Sequence, residues 1–236
     1  MGCVKKRKIE KEKIITLIPF KGITIAKNRL RREIGKELTE LICKRLVNRI
    51  LKIIVSLEMI SQTFLLLKNR TEIETFIPEK LREKIRIIND QKTSLNGSIT
   101  YFLKEKQKNK RNQEKKRVVI IMPDVPGLEK KIIVKFITTT PKEHIGIYPL
   151  KEEGTAMIIM NLEKHSAFRA LFGEESHLKY RQLCQKENYS YKNDFRPKLI
   201  DIDNKETLLN WLQKEKITED SLLKLRKTVL KKLKNK

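Results

Sequence analysis

The sequence predicts an α+β fold: an N-terminal helical part, a small mixed β-sheet with helices, and a basic C-terminal helix. Two observations carry this prediction. Apolar residues recur at helical spacing in the N-terminal part of the chain, whereas short β-branched runs, typical of strands, follow residue 117. A polar, lysine-rich stretch without apolar periodicity separates these two parts.

These changes in composition divide the 236 residues into five segments. A chain of this length buries a core without needing disulfide or metal crosslinks. The segments are a basic tail (1–13), a mainly helical N-terminal region (14–103), a basic linker (104–117), an α+β domain (118–203) and basic C-terminal helices (204–236).

The N-terminal region begins with a predicted pair of short strands. Residues 15–26 are rich in β-branched side chains and are interrupted by Pro19 and Gly22. Next comes an apolar pattern with alternating spacings of four and three residues, which predicts one long helix over 46–67. The pattern consists of Leu46, Ile50, Ile53, Leu57, Ile60, Phe64 and Leu67. Further apolar residues widen the stripe, which favours a buried core helix, and a homo-oligomer joined through this helix is the alternative.

Shorter elements fill the rest of the chain. Helices are predicted after Pro78, over 99–105, over 163–173 and over 176–186. A further helix runs through Trp211 after a cap formed by Asp203 and Glu206, and the last one begins at Thr218. Strands are predicted at 118–122, 132–138, 145–148, 156–162 and 198–203.

The stretch from residue 117 to residue 136 predicts a β-hairpin. Its two apolar runs flank Pro126-Gly127, a pair typical of turns. In the register that this turn sets, Asp124 faces Glu129, and Lys131 lies on the same face. Two carboxylates at that separation are suited to hold Mg²⁺, with a lysine beside them to place a water molecule.

Pro123-Asp124 followed by Glu129-Lys130-Lys131 resembles the PD-(D/E)xK motif of restriction-enzyme-like nucleases. The resemblance implies metal-dependent cleavage of nucleic acid, with Asp124, Glu129 and Lys131 as catalytic residues. The opposite face of the same hairpin is apolar, so the simpler interpretation is a structural hairpin whose wet face carries these charges. We therefore predict no catalytic residue, no metal and no cofactor, and keep the nuclease as the alternative.

The charge of the chain favours a polyanionic partner. Lys and Arg number 54 against 29 Asp and Glu, a net charge of +25. Much of the excess lies in residues 1–13, 103–117 and 222–236. Residues 180–198 also alternate aromatic and basic side chains, an arrangement that suits stacked bases and their phosphates. The competing interpretation is that Tyr180 packs inward and that the other aromatic side chains cover a core edge.

From these segments we predict nucleic-acid contacts that are lysine-rich and directed mainly at the phosphate backbone. The predicted residues are Lys5, Lys6, Arg7, Lys8, Lys108, Lys110, Arg111, Lys115, Lys116, Arg117, Tyr180, Arg181, Tyr189, Tyr191, Lys192, Phe195, Arg196, Lys231 and Lys232.

The function predicted from the sequence is therefore non-catalytic binding of nucleic acid, with RNA or a single strand preferred, in a ribonucleoprotein, ribosome-associated or nucleocapsid-like role. A second alternative is a structural protein that binds an anionic membrane through its basic tail and assembles through the 46–67 helix. The tail also offers Gly2 and Cys3 as candidates for acylation. Lys6 stands where the acylation motif has Ser or Thr, so a membrane partner is disfavoured. Three scattered cysteines favour a reducing, intracellular location, cytoplasmic or nuclear.

Overall fold

The computed structural model describes residues 14–23, 26–68, 72, 76–90, 92–108, 117–196, 199–214 and 219–234. Its centre is a seven-stranded mixed sheet. The strands are β1 (Ile14–Phe20), β2 (Ile60–Leu67), β3 (Arg86–Asn89), β4 (Arg117–Ile121), β5 (Ile145–Pro149), β6 (Thr155–Asn161) and β7 (Tyr191–Lys192). The helices are α1 (Asn28–Ile34), α2 (Lys36–Val55), α3 (Glu79–Arg82), α4 (Leu95–Lys108), α5 (Lys130–Thr139), α6 (Ser176–Lys186), α7 (Lys205–Lys214) and α8 (Asp220–Lys234).

The strands lie in the order β3-β2-β1-β4-β6-β5-β7. β1, β2, β3 and β4 are parallel to one another, and β6 runs antiparallel to both β4 and β5. Strands from both sides of residues 104–117 thus pair directly in one sheet. The small sheet predicted for the C-terminal half alone is wrong, because the N-terminal part supplies β1, β2 and β3.

Helices cover both faces of this sheet. Side chains of β1 and β4 alternate between the faces, so Ile18 and Val119 join one core while Leu17 and Val118 join the other. The first core is closed by α2 and α5, and the second by α4 and α6. Burial on both faces explains why the central strands read as continuous apolar runs.

A third apolar cluster lies outside the sheet, between α1, α2, α7 and α8. Trp211 is fully buried in it, together with Leu30, Ile42, Leu208 and Val229. The predicted architecture, in which a basic C-terminal helix stands beside a small sheet, is wrong: the last helix, α8, packs its apolar face against the rest of the molecule. It is one wall of this helical layer.

The long helix predicted over 46–67 is wrong. α2 ends at Val55, and β2 begins at Ile60. The four residues from Phe64 to Leu67 are all buried, which a central strand allows on its two faces and which a helix with one wet side does not. Their helical spacing was fortuitous, and the apolar residues of the proposed oligomer seam mostly lie in the core of this one chain.

The hairpin predicted over residues 117–136 is also wrong. β4 forms its first strand, but the second run is the helix α5. The run from Ile132 to Val134 favours a strand by local propensity, whereas Ile133, Phe136 and Ile137 are spaced to lie on one helical face. Those three are the buried residues of α5, so packing against the sheet decides for the helix.

Most of the remaining predicted elements are confirmed. Strands β5 and β6 and helices α4, α6, α7 and α8 are confirmed within a few residues. No helix forms over 163–173. Within the described residues of the other two ranges, no strand forms over 199–203, and the range 15–26 contributes the single strand β1. Along the part of the chain that the structure describes, no helix is both long and apolar enough to cross a membrane.

Candidate active site

A cleft of about 700 Å³ opens where the direction of chain progression across the sheet changes. From β1 the chain moves outward to β2 and β3, and it then returns to place β4 on the other side of β1. At such a switch point the loops after the two neighbouring parallel strands separate and leave a crevice at their carboxyl ends. The loops that follow Phe20 and Ile121 line this cleft.

Lys27 lies at the centre of the cleft. It is the last residue before α1 and has a left-handed backbone, with φ of 56°. Its Nζ donates hydrogen bonds to Asp124 Oδ2 and, over 3.1 Å, to Asp203 Oδ1. These carboxylates are 97 and 176 residues away in the sequence. One ammonium group therefore joins the loop after β1, the loop after β4 and the segment before α7.

Main-chain hydrogen bonds fix both carboxylates. The Ile202 amide donates to the carbonyl oxygen of Asp124 over 3.0 Å, which ties the segment before α7 to the loop after β4. Asn204 caps α7 by accepting from the Thr207 amide, and the Thr207 hydroxyl accepts from the Asp203 amide. The cap is therefore Asn204 with Thr207, and the predicted cap of Asp203 with Glu206 is wrong. Asp203 is left to face the cleft.

The charges around Lys27 and Asp201 shift the pKa values of both groups. Burial lowers the pKa of Lys27, but the charges of Asp124, Asp203 and Asp201 more than reverse this, so the net shift is upward. Burial, reinforced by Asp124, raises the pKa of Asp201 to about 6. Three carboxylates around one ammonium leave excess negative charge, which favours the arrival of a further cation.

The two carboxylates fit a divalent metal ion. An oxygen of Asp124 and an oxygen of Asp203 converge on Lys27 Nζ, so a metal ion would have to bind the carboxylate oxygens on the sides that face away from this ammonium group. Mg²⁺ prefers carboxylate oxygens and is commonly completed by phosphates of a substrate. No larger set of His, Cys, Asp and Glu side chains is arranged to hold a metal within the described ranges. A metal at Asp124 and Asp203 would thus need oxygens from a bound ligand.

The lining of the cleft carries both signs of charge. The part formed by the loop after β1 and by α1, called the basic wall below, carries Lys21 and Arg29, both exposed, and Arg29 also lies 3.9 Å from Asp203. Another part of the lining comes from residues near β6 and α6. It carries Glu152, and a buried hydrogen bond of 3.0 Å joins Ser176 to Thr155. The basic wall, next to converging carboxylates, is suited to a metal-bound polyphosphate.

The nuclease-like residues are not assembled as predicted. Asp124 lies in the cleft, but Glu129 directly precedes α5 and is paired over 2.9 Å with Lys131, which is 80% exposed. Because the second strand of the hairpin does not exist, Asp124 and Glu129 do not face each other across it. Asp124 is the one member of the set that belongs to the candidate active site.

The aromatic and basic stretch after residue 180 is largely packed. Tyr180 is fully buried and stacks on Phe168, and its hydroxyl accepts a hydrogen bond from the Leu171 amide over 2.8 Å. The Tyr189 hydroxyl accepts from the Ala167 amide. These rings are held by the protein itself, as the competing interpretation from the sequence required.

The other predicted contact residues of the stretch after residue 180 are either packed or paired within the protein, or lie away from the cleft. Phe195 stacks on Tyr148, Lys192 is paired with Asp194, and Tyr191 is half-buried in the short β7. Arg181 is half-buried in α6, and Arg196 is exposed. None of these side chains lines the cleft.

The other predicted contacts are scattered. Arg117 is buried in β4 and donates to the carbonyl oxygens of Ile137 and Thr140, so it is a structural residue at the end of α5. Lys108, Lys231 and Lys232 are exposed near the ends of α4 and α8. Lys5, Lys6, Arg7, Lys8, Lys110, Arg111, Lys115 and Lys116 lie outside the described residues, as do Gly2 and Cys3.

The sequence interpretation missed Lys27, Asp201 and Asp203 as functional residues. A usable signal existed, because polar side chains that directly follow buried strands meet at one edge of a parallel sheet. Asp124 closely follows the end of β4 in this way, whereas Lys27 lies at the far end of the loop after β1, directly before α1. Asp203 follows no strand, and only the three-dimensional structure brings it to the other two.

Comparison with known families gives a match over almost the whole chain. Residues 14–235 match the family described as "Guanylyl transferase CofC like". Comparison with curated proteins gives no match. The family match overturns the prediction of a non-catalytic nucleic-acid-binding or ribonucleoprotein role, because this is a family of transferases, and enzymatic activity is now the expectation.

Solved structures show the same fold at low sequence identity. A putative nucleotide-diphospho-sugar transferase from Desulfovibrio desulfuricans is 13% identical, with a TM-score of 0.70 over 92% of this chain and 96% of that chain. A 4-diphosphocytidyl-2C-methyl-D-erythritol synthase from Anaerococcus prevotii is 14% identical, with a TM-score of 0.54 over 85% and 95%. A CMP:2-keto-3-deoxy-manno-octonic acid synthetase complexed with CTP is 6% identical, with a TM-score of 0.53 over 84% and 96%.

Proposed function

Because this chain belongs to the CofC-like guanylyl transferase family, we propose that it is a nucleotidyltransferase that uses a nucleoside triphosphate, with GTP as the expected donor. The observation that carries the proposal is the convergence of Lys27, Asp124 and Asp203 in a cleft at the switch point of the sheet. The cleft volume lies within the range of about 300–1,000 Å³ that is usual for small-molecule sites.

The reaction is the displacement of pyrophosphate. An oxygen of the acceptor attacks the α-phosphorus of the triphosphate. The bond from that phosphorus to the oxygen bridging the β-phosphate breaks, and pyrophosphate leaves with the bonding electrons. The nucleoside monophosphate group is then joined to the acceptor. Negative charge accumulates on the phosphate oxygens during this transfer, so catalysis depends on positioned cations.

The residues of the cleft supply such positioning. Lys21 and Arg29 of the basic wall line the cleft and would be available to bind phosphates there. Lys27 is already charged and directed at the carboxylates, and a bound triphosphate offers it further anionic partners. Asp124 and Asp203 would hold Mg²⁺, which supplies charge neutralisation and orientation of the triphosphate when bound. The rigid cap of α7 keeps Asp203 in place.

The first experiment measures binding of GTP, CTP, ATP and UTP in the presence of Mg²⁺ by calorimetry. We expect binding of at least one triphosphate, and a loss of affinity of about tenfold or more in Lys27→Met, because a charge-assisted phosphate contact is removed. Lys130→Met is the matched control, since Lys130 is exposed at the start of α5 and does not line the cleft.

Two results would contradict the proposal. One is the absence of binding of every triphosphate at millimolar concentration with Mg²⁺ present. The other is an equal loss of affinity in Lys27→Met and Lys130→Met, which would assign the effect to total charge instead of to the cleft.

A further inference from the structure

The loop after β1 is held on two sides by side chains that do not belong to the cleft lining. Among its described residues, Ile23 is the point of attachment. Its amide donates to Glu72 Oε2 over 2.7 Å, and its carbonyl oxygen accepts from Arg31 Nη2 over 2.6 Å. Both backbone polar groups of Ile23, its amide and its carbonyl oxygen, are thus hydrogen-bonded to charged side chains. Such charge-assisted hydrogen bonds are stronger than neutral ones.

Arg31 is itself fixed. Its Nη1 donates to Glu40 Oε1 of α2 over 3.1 Å, and the two side chains are only 18% and 21% exposed. Arg31 lies one helical turn after Lys27, and its amide donates to the Lys27 carbonyl oxygen over 2.8 Å. The guanidinium group therefore connects α1, α2 and the loop, directly beside the residue that binds both carboxylates.

Glu72 reaches the loop because of the strand order. β2 is the parallel neighbour of β1, and Phe20 is paired with Leu67 at the ends of the two strands. The chain after β2 thus emerges at the same edge of the sheet as the loop after β1. Glu72 also approaches Gly22 so closely that a Cβ atom there would lie 2.9 Å from Glu72 Oε2. Gly22 has φ of 105°, a backbone conformation that strains any residue with a side chain, and a side chain there would also displace the Glu72 carboxylate.

The loop is closed on itself by one more bond. The Ala26 amide donates to the Gly22 carbonyl oxygen over 3.1 Å. The attachment at Ile23 and this closure together set where Lys21 enters the loop and where Lys27 leaves it. Both lysines line the cleft.

We infer that Glu72 and Arg31 are positioning residues for triphosphate binding. They form a clamp on Ile23 that holds the loop after β1 in its binding geometry before the nucleotide arrives. Without the clamp the loop has to be ordered by the ligand, and the entropy lost in that ordering weakens binding. This inference rests on the proposed function, because the ligand whose affinity depends on the clamp is the nucleoside triphosphate.

The decisive variants are Glu72→Ala, which removes the acceptor of the Ile23 amide, and Glu72→Gln, which keeps an acceptor oxygen. Glu83→Ala is the matched control, an exposed glutamate after α3. Hydrogen exchange of a peptide spanning residues 20–30 reports the clamp without any ligand. Calorimetry with GTP and Mg²⁺, or with whichever triphosphate the wild type binds, reports its effect on affinity.

We expect the Ile23 amide to exchange faster in Glu72→Ala, the dissociation constant to rise about tenfold, and Glu72→Gln to recover most of the affinity. Glu83→Ala is expected to match the wild type. Arg31→Met, which removes the second half of the clamp, is expected to weaken binding in the same direction. Thermal unfolding of each variant checks that the fold is intact.

The possible failures are distinguishable. If the wild type binds triphosphate and Glu72→Ala binds it equally well, the inference is wrong and the proposed function stands. Unchanged exchange at Ile23 in Glu72→Ala would also overturn the clamp. Absence of triphosphate binding by the wild type overturns the proposed function and this inference together.

Discussion

The stretch from Tyr180 to Arg196 looks like a binding site in the sequence but is not one in the structure, whereas the cleft is a candidate site in the structure that the sequence does not reveal. The stretch is contiguous and carries the aromatic and basic side chains expected of a nucleic-acid surface, yet its rings are packed and hydrogen-bonded inside the protein. The cleft residues are isolated in the sequence, and each is unremarkable where it stands. Lys27, Asp124 and Asp203 become a site only because three separate segments end at one edge of the sheet.

The difference shows which local features predict chemistry in this molecule. Aromatic residues next to one another in sequence are explained by the core that they close, as with Tyr180 on Phe168. Charged residues that follow buried strands have no packing reason to converge. Where they do converge, burial and the charge of Asp124 raise the pKa of Asp201, an electrostatic cost that packing alone does not require.

The largest effect that we expect is on stability, and it tests whether the stretch from Tyr180 to Arg196 is packed core. Tyr180→Ala should lower the free energy of unfolding by about 3–5 kcal/mol, because it removes a fully buried ring and leaves the Leu171 amide without its acceptor. Tyr191→Ala, at a half-buried site in the same stretch, should cost clearly less. Urea denaturation measures both. Equal and small losses for the two variants would return Tyr180 to the candidate binding surface.

The next effect is on activity. Asp124→Asn should reduce nucleotidyl transfer by about 10²–10³-fold, with little change in stability, because a neutral amide no longer provides the carboxylate charge in the cleft. Asp194→Asn is the matched control, since Asp194 is 70% exposed beside the packed aromatic stretch. Pyrophosphate release is the measurement. Full activity in Asp124→Asn would remove the cleft from the mechanism.

The smallest effect that we expect is a pH dependence of stability caused by His165, which packs against the aromatic stretch. His165 is buried edge-on against Tyr189, and this burial lowers its pKa to about 4. The unfolded chain therefore binds a proton near pH 6.5 that the folded protein binds only near pH 4. The stability associated with neutral His165 is present above about pH 6.5 and is lost as the pH falls toward 4.

Between pH 7.5 and 5.5 this loss should amount to about 1–1.5 kcal/mol. The measurement is urea denaturation of the wild type and His165→Gln at both pH values, because the difference between the two proteins isolates this group. A constant difference across the range would show that His165 is not responsible, and His144→Gln serves as the comparison variant at a partly exposed site.

Sequence alone determined those elements whose identity depends on neighbours close in the chain. α6 and α8 were predictable because their apolar residues recur at helical spacing, and β5 and β6 because short β-branched runs are bounded by turn residues. The charge of the chain was also fixed in this way, although the non-catalytic nucleic-acid-binding role that we inferred from it is contradicted by the match to a transferase family.

Only the tertiary structure decided the rest. By local pattern, residues Phe64 to Leu67 fit a helix and residues Ile132 to Val134 fit a strand. In the folded protein the first run is buried on two faces as a strand, and the second is buried on one face as a helix. Glu72 reaches Ile23 only because β2 pairs with β1. Lys27 meets Asp203 only because the segment before α7 returns to the loop after β4. Such contacts depend on strand order, a property of the whole chain that no local pattern contains.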